Sequence, residues 1–171
     1  MNITVIGTGY VGLVVGACFS DFGNKVTCVD LDKEKIENLK QGKLPFYEPG
    51  LSDLINKNTE HSGISFTTEL KSSVYEAELI FIAVGTPSLG VDGEVDLSYF
   101  YAAVTEVAEH VRDNSIIVIK STVPVGTNRK AEALVDSIAL GKRIFLVSNP
   151  EFLREGTAIT DFTDPDRICV G

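Results

Sequence analysis

Gly7, Gly9 and Gly12 are spaced G-x-G-x-x-G within the stretch ITVIGTGYVGLVVG. A β-branched run precedes them and small apolar residues follow, so they fall where a strand would turn into a helix. That placement suits a bound anion. The first glycine permits the tight turn, the second lets main chain approach a pyrophosphate, and the third brings the helix close to the strand. Free N–H groups and the positive end of the helix dipole then face the phosphates. The intervening Thr8, Tyr10 and Val11 complete this cofactor loop. Asp30 lies 18 residues after Gly12, at the end of the next β-branched run, KVTCVD. A carboxylate there can accept from both hydroxyls of a ribose and would repel a 2′-phosphate, which points to NAD rather than NADP. The alternative is a plain strand–helix turn, with Asp30 or Asp32 capping the following helix.

Other polar residues follow later apolar runs, where an open α/β sheet presents its ligand edge. The run ELIFIAVG leads into TPS, leaving small residues from Val84 to Ser88 and the Thr86 hydroxyl. An ordinary proline turn is the competing reading. SIIVIKST places Ser121 and Thr122 toward the nicotinamide end, unless one hydroxyl caps a helix. NPEFLREG carries Glu151 and Glu155, four residues apart. Two acids at a cleft mouth suit water activation or recognition of sugar hydroxyls. The plainer alternative is a solvated helix start with Arg154 in a weak surface pair. Lys35 either reaches the adenosine from the second helix or is an ordinary solvated lysine.

His61 and His110 have no Ser or Cys partner nearby in sequence and read as surface residues. Cys18, Cys28 and Cys169 lack metal-ligand spacing and sit in apolar stretches, so all three are expected to be inert core thiols. No metal site is expected.

The elements that must position these groups alternate. NITVIG, KVTCVD, GISFTT, ELIFIAVG, SIIVIKST and RIFLVSNP read as strands, and DRICVG as one last strand. YVGLVVGACFSDFG, LDKEKIENLKQGK, LSDLINKN, ELKSSVYEA, LSYFYAAVTEVAEHVR and the segment after Gly126 read as helices. LPFYEPG is a connection, TPSLGVDGEVD a long polar loop, and EFLREGTAITDF a turn with a short helix. Strands apolar on both faces alternating with amphipathic helices call for an α/β fold. We expect a Rossmann-like, doubly wound, mainly parallel sheet with helices on both faces.

The chain of 171 residues suits a single domain, and its net charge of −9 argues against nucleic acid as the main partner. No apolar run approaches the roughly 20 residues that cross a bilayer, so no membrane partner is expected. An odd cysteine count without a disulfide framework suits a cytoplasmic setting. Because the apolar pattern runs to Gly171, the domain is expected to continue into a longer protein.

The stretches ITVIGTGYVGL, VTCVDLDKEKI, LPFYEPGL, FIAVGTPS, IKSTVPVGT, SNPEFLREGTAITDF and PDRICVG together resemble the NAD-binding domain of the UDP-glucose/GDP-mannose dehydrogenase family across essentially the whole chain. YEPGL, STVPVGT and NPEFLREG in that order are far more specific than the glycine loop. The resemblance implies two NAD-dependent oxidations of a sugar C6 alcohol to a carboxylate through a cysteine thioester. It implies an NAD site formed by Gly7, Thr8, Gly9, Tyr10, Val11, Gly12, Asp30, Lys35, Val84, Gly85, Thr86, Pro87, Ser88, Ser121, Thr122, Val123 and Glu155. Glu151, Phe152, Leu153, Arg154 and Glu155 would run along the nucleotide sugar. Thr122 and Glu151 would hold the water that takes up protons and later hydrolyses the thioester. YEPGL and PDRICVG lean toward UDP-glucose; GDP-mannose, a UDP-N-acetyl sugar or a free-standing NAD-binding module are the alternatives. The family's cysteine-containing glycine-rich stretch, with its oxyanion-stabilising lysine and asparagine, has no match here. The chain alone is therefore expected to bind NAD without turnover, and the resemblance implies that the complete enzyme is a homodimer.

Overall fold

Six short apolar runs form one parallel sheet in a computed structural model that describes residues 1–89 and 94–171. The elements are β1 (Asn2–Ile6), α1 (Tyr10–Asp21), β2 (Lys25–Val29), α2 (Lys33–Lys40), α3 (Leu51–Glu60), β3 (Ile64–Thr67), α4 (Leu70–Glu76) and β4 (Leu79–Ile82). There follow β5 (Ser88–Leu89), β6 (Glu94–Val95), α5 (Ser98–His110), β7 (Ile116–Ile119), α6 (Thr127–Ile138), β8 (Phe145–Ser148) and α7 (Ala158–Thr163). The large sheet has the order β3-β2-β1-β4-β7-β8. All its pairs are parallel, with Ile3 opposite both Val26 and Leu79.

Burial on both faces explains the near-continuous apolar strands. Alternate residues of β4 and β7 enter two cores: Phe81 and Val118 pack with α1, α3 and Ala158 of α7. Ile80, Ile82, Ile117 and Ile119 pack with α4, α5 and α6. Burying each such side chain contributes roughly 1.5–3 kcal/mol. Cys28 is sealed on the first face, its Sγ standing where a Cβ at Gly16 of α1 would come within 2.6 Å. That contact sets how closely α1 lies on β2.

Three expectations are corrected. The polar loop contains a small antiparallel hairpin, with Ser88 opposite Val95 and Leu89 opposite Glu94; its residues 90–93 lie outside the described residues. DRICVG joins no ladder. It is tied to the edge of the sheet by a reciprocal pair of backbone bonds between Ser148 and Gly171, at 2.7 and 2.9 Å, and by Asn149 Nδ2 donating to the Cys169 carbonyl. Ile168 and Val170 remain exposed, since no element among the described residues covers them there. For the same reason Cys169 is exposed, whereas Cys18 and Cys28 are buried as expected. Of the two histidines, His61 is exposed and His110 half-buried.

The strand order reverses direction between β1 and β4, which opens a crevice beyond their carboxyl ends. No helix among the described residues is long and apolar enough to cross a membrane.

Candidate functional site

The glycine turn follows β1 directly. Gly7 has φ +97°, and a Cβ there would stand 2.7 Å from the Ala83 carbonyl oxygen of the neighbouring strand end. No L side chain fits that combination. A Cβ on Gly12 would lie 1.9 Å from the Gly7 carbonyl oxygen, so the third glycine closes the turn against its own first residue. Gly9 differs: nothing lies within 4 Å of its Cβ position. The absent side chain leaves open space at the start of α1, where no side chain caps the first N–H groups and no acid occupies the first turn. Open main chain, N–H donors without a side-chain cap and a helix dipole make this cradle fit a dinucleotide pyrophosphate.

Asp30, at the end of β2, receives four donors. Thr8 N–H and Thr8 Oγ1 reach its Oδ2 at 2.9 and 2.6 Å, Lys35 Nζ reaches the same oxygen at 2.9 Å, and Asp32 N–H reaches Oδ1 at 3.1 Å. Burial opposes ionisation, but these donors outweigh it and pull the pKa down to about 2. Oδ1 carries only one of the four donors and keeps capacity for a ribose hydroxyl. Capping of α2 falls to Asp32, whose Oδ1 accepts from Lys35 N–H at 3.0 Å. That leaves Asp30 to the site. Thr8 itself is fully buried against Asp30 and acts as its anchor rather than as a cleft-lining group.

A pocket of about 200 Å³ occupies the crevice, lined by Gly9, Tyr10 and Val11, by residues 83–86 and 120–122, and by Glu151. It joins the glycine turn to the ends of β4 and β7. Within it Thr86 Oγ1 donates to the Thr122 carbonyl at 2.9 Å, and Ser121 Oγ donates to the Val84 carbonyl at 2.7 Å. Both hydroxyls thus lace the two strand ends together. Thr122 is exposed. Val123 turns away and packs on the second core, and Pro87 and Ser88 leave toward the hairpin.

The segment after β8 is not helical, so Glu151 and Glu155 do not share a helix face. Glu151 borders both this pocket and a larger cavity of about 540 Å³, while Glu155 is exposed and lines neither. Glu151 Oε2 accepts from Leu153 N–H. Phe152 is part-exposed beneath Arg167, 4.6 Å from its ring centre, and Leu153 packs on the first core. Arg154 is committed to Asp161 through Nη2 and Nε, at 2.6 and 3.1 Å.

Two residues not singled out in the sequence belong to the site. Lys120 is 7% exposed, lines both pocket and cavity, and gives Nζ to Asn149 Oδ1 at 3.0 Å. Burial draws its pKa below the ordinary lysine value, while the nearby Glu151 carboxylate works the other way. Its signal in the sequence was a lone lysine continuing an apolar strand, IIVIK. Glu48 is likewise buried, and accepts from Tyr10 OH, Gly156 N–H and Ala158 N–H. Its signal was an acid inside the stretch YEPGL.

This strand order, with a glycine turn at the switch point and an acid on the next strand, defines a Rossmann-type dinucleotide-binding domain. The chain belongs to the UDP-glucose/GDP-mannose dehydrogenase family, matching the model of its NAD-binding domain over residues 1–171. A UDP-glucose 6-dehydrogenase of Rhizobium meliloti is 51% identical over 171 residues, covering 100% of this chain and 39% of the relative. Among solved structures, a ternary complex of GDP-mannose dehydrogenase from Pseudomonas aeruginosa matches with a TM-score of 0.94 at 36% identity, covering 100% of this chain and 41% of that one. A UDP-glucose dehydrogenase from Pyrobaculum islandicum matches with a TM-score of 0.92 at 38% identity, covering 99% of this chain and 40% of the other. The chain thus spans about two fifths of the length of these relatives.

Proposed function

We propose that this domain is the cofactor half of a cytoplasmic, homodimeric nucleotide-sugar dehydrogenase that oxidises the C6 alcohol of UDP-glucose to the carboxylate in two NAD-dependent steps. The observation that carries this reading is the crevice lined from the glycine turn through Thr122 to Glu151, which shares Glu151 and Lys120 with the lining of the larger cavity. NAD supplies the hydride acceptor when bound. The chain's own residues do the rest of what this half contributes. The N–H groups opening α1 hold the pyrophosphate, and Asp30 holds the adenosine ribose. Val84, Gly85 and Thr86 leave room along the β4 end for the cofactor. Thr122 and Glu151 hold a water at the nicotinamide end, Glu151 accepting from Leu153 N–H through Oε2 and offering Oε1 to take the water's proton. Residues 151–155 flank the sugar nucleotide.

None of the three cysteines suits a nucleophile. Cys18 and Cys28 are buried with pKa values pushed up to about 12 by burial, and Cys169 lines neither pocket nor cavity. The thioester-forming cysteine is therefore assigned to a part of the enzyme outside this chain, and the chain alone binds NAD without turnover. UDP-glucose is favoured over GDP-mannose because the Rhizobium meliloti relative named for it is 51% identical, against 36% for the GDP-mannose dehydrogenase.

The test is to mix the full-length protein with NAD and UDP-glucose and follow NADH absorbance. Two NADH per sugar are expected, and none from the 171-residue chain alone. Faster NADH formation with GDP-mannose or a UDP-N-acetyl sugar would reassign the substrate; turnover by the chain alone would overturn the assignment of the nucleophile.

A further inference from the structure

The segment that would flank the sugar has an unusual hydrogen-bond pattern. Four backbone N–H groups of that segment and of the turn into α7 go to carboxylates rather than carbonyls: Leu153 to Glu151 and Arg154 to Asp161 within the segment, and Gly156 and Ala158, just beyond it, to Glu48. Glu151 and Asp161 belong to the segment or to the helix that follows it, so they shape it without placing it. Glu48 is different. It comes from the connection between α2 and α3, more than a hundred residues earlier in the chain.

Glu48 is 3% exposed. Its Oε2 accepts from Gly156 N–H at 2.8 Å and from Tyr10 OH at 2.7 Å, and its Oε1 accepts from Ala158 N–H at 2.9 Å. Tyr10 is the first residue of α1, inside the glycine turn, and its hydroxyl also stands 3.2 Å from the Arg154 carbonyl. The tyrosine ring is held in turn by Phe46, with ring centres 5.1 Å apart. One buried carboxylate therefore joins the cofactor turn to the chain that immediately follows the sugar segment, at Gly156 and at Ala158, the first residue of α7. A buried charge is tolerated only where donors surround it. Here burial raises the carboxyl's pKa, but the three donors outweigh it and hold the pKa below the usual range. Since all three donors come from the two elements being joined, the charge is satisfied only while they stay together.

We propose that Glu48 is a positioning residue: it fixes residues 151–155 against the glycine turn, and so sets the distance between the nucleotide sugar and the cofactor. Glu48 faces neither the pocket nor the cavity, and it acts through Tyr10, Gly156 and Ala158. The inference rests on the dehydrogenase reading above for what is being positioned.

Glu48→Gln keeps the shape but turns one oxygen into a donor facing an N–H or hydroxyl. In the full-length protein it should lower kcat/KM for UDP-glucose about ten- to a hundredfold, the scale of a small misplacement of reacting groups. NAD affinity should stay at the wild-type value, and deuterium uptake by peptides covering residues 151–158 should rise. Tyr10→Phe removes one donor and should lower kcat/KM and raise deuterium uptake at residues 151–158 in the same sense, less strongly; it stands in for those two readouts if Glu48→Gln fails to fold. A role in stability alone would lower the melting temperature and leave the kinetics of the folded protein unchanged. Wild-type kcat/KM together with wild-type deuterium uptake in the folded variants would overturn the inference. If the wild-type protein does not reduce NAD with any nucleotide sugar, the dehydrogenase reading falls, and Glu48 is then judged by deuterium uptake alone.

Discussion

Thr8 gives both its backbone N–H and its hydroxyl to the same oxygen of Asp30, at 2.9 and 2.6 Å. The residue between the first two glycines thereby orients the acid that ends the next strand. The glycine turn and the acid proposed to hold the ribose are tied directly to each other. Lys35 joins Asp30 from α2.

Asp30→Ala should weaken NAD binding by about 1.5–3 kcal/mol, the range for a hydrogen bond to a charged group. It should also narrow the preference against NADP. Titration of the chain with each cofactor, followed by calorimetry, checks both. Equal affinities before and after the change would show the ribose held elsewhere.

The three glycines should fail differently. A Cβ at Gly9 meets no atom within 4 Å, so in Gly9→Val the fold should persist while NAD binding is lost. Gly12→Ala places a methyl 1.9 Å from the Gly7 oxygen and should destabilise the domain by about 1–3 kcal/mol or more. Circular dichroism melts and NAD titration separate the two outcomes.

Acid should uncover Asp30. Its folded pKa is about 2, below the ordinary aspartate value near 3.9, so its contribution is complete above the unfolded pKa and fades as pH falls through the folded one. The size is on the order of 2 kcal/mol. Urea melts of wild type and Asp30→Asn should therefore converge between about pH 4 and pH 2.

Lys120→Met should leave the domain folded, because it replaces a buried cation with an apolar chain of similar length. Turnover of the full-length protein should fall, since Glu151 loses its buried cationic neighbour and Asn149 its donor. Melting temperature and NADH formation, measured on the same preparation, provide the check.

Thiol reagents should distinguish the cysteines. Cys169 is exposed and should react promptly in the native chain, whereas Cys18 and Cys28, buried with pKa values of about 12, should react only after unfolding. One fast equivalent followed by two on denaturation is the expected count. Three fast equivalents would contradict the packing of α1 on β2.

Much of the frame was legible residue by residue. Runs such as TVI, TCV and IFI can be buried on both faces only in a covered parallel sheet. The positive φ at Gly7 and the close contact of Gly12 with Gly7 are local demands, so their spacing announced the turn, whereas the approach of Ala83 to Gly7 is tertiary. DRICVG misled because an apolar pattern states an appetite for a partner and not its presence. With Ser148 and Gly171 as its one reciprocal bond pair, the segment stays outside the ladder and Cys169 stays in solvent.

The sequence by itself determined the α/β alternation, the glycine turn and the acid that follows it, since each depends on neighbours a few residues apart. Only the tertiary structure decided that Thr8 serves Asp30, that Lys120 stands between pocket and cavity, and that Glu48 reaches Tyr10, Gly156 and Ala158. Those contacts exist because the strand order sets β4 beside β1 and β8 beside β7, which brings distant loops to one edge of the sheet. A buried charge or hydroxyl takes whichever donors that edge supplies, and sequence spacing does not encode which they are.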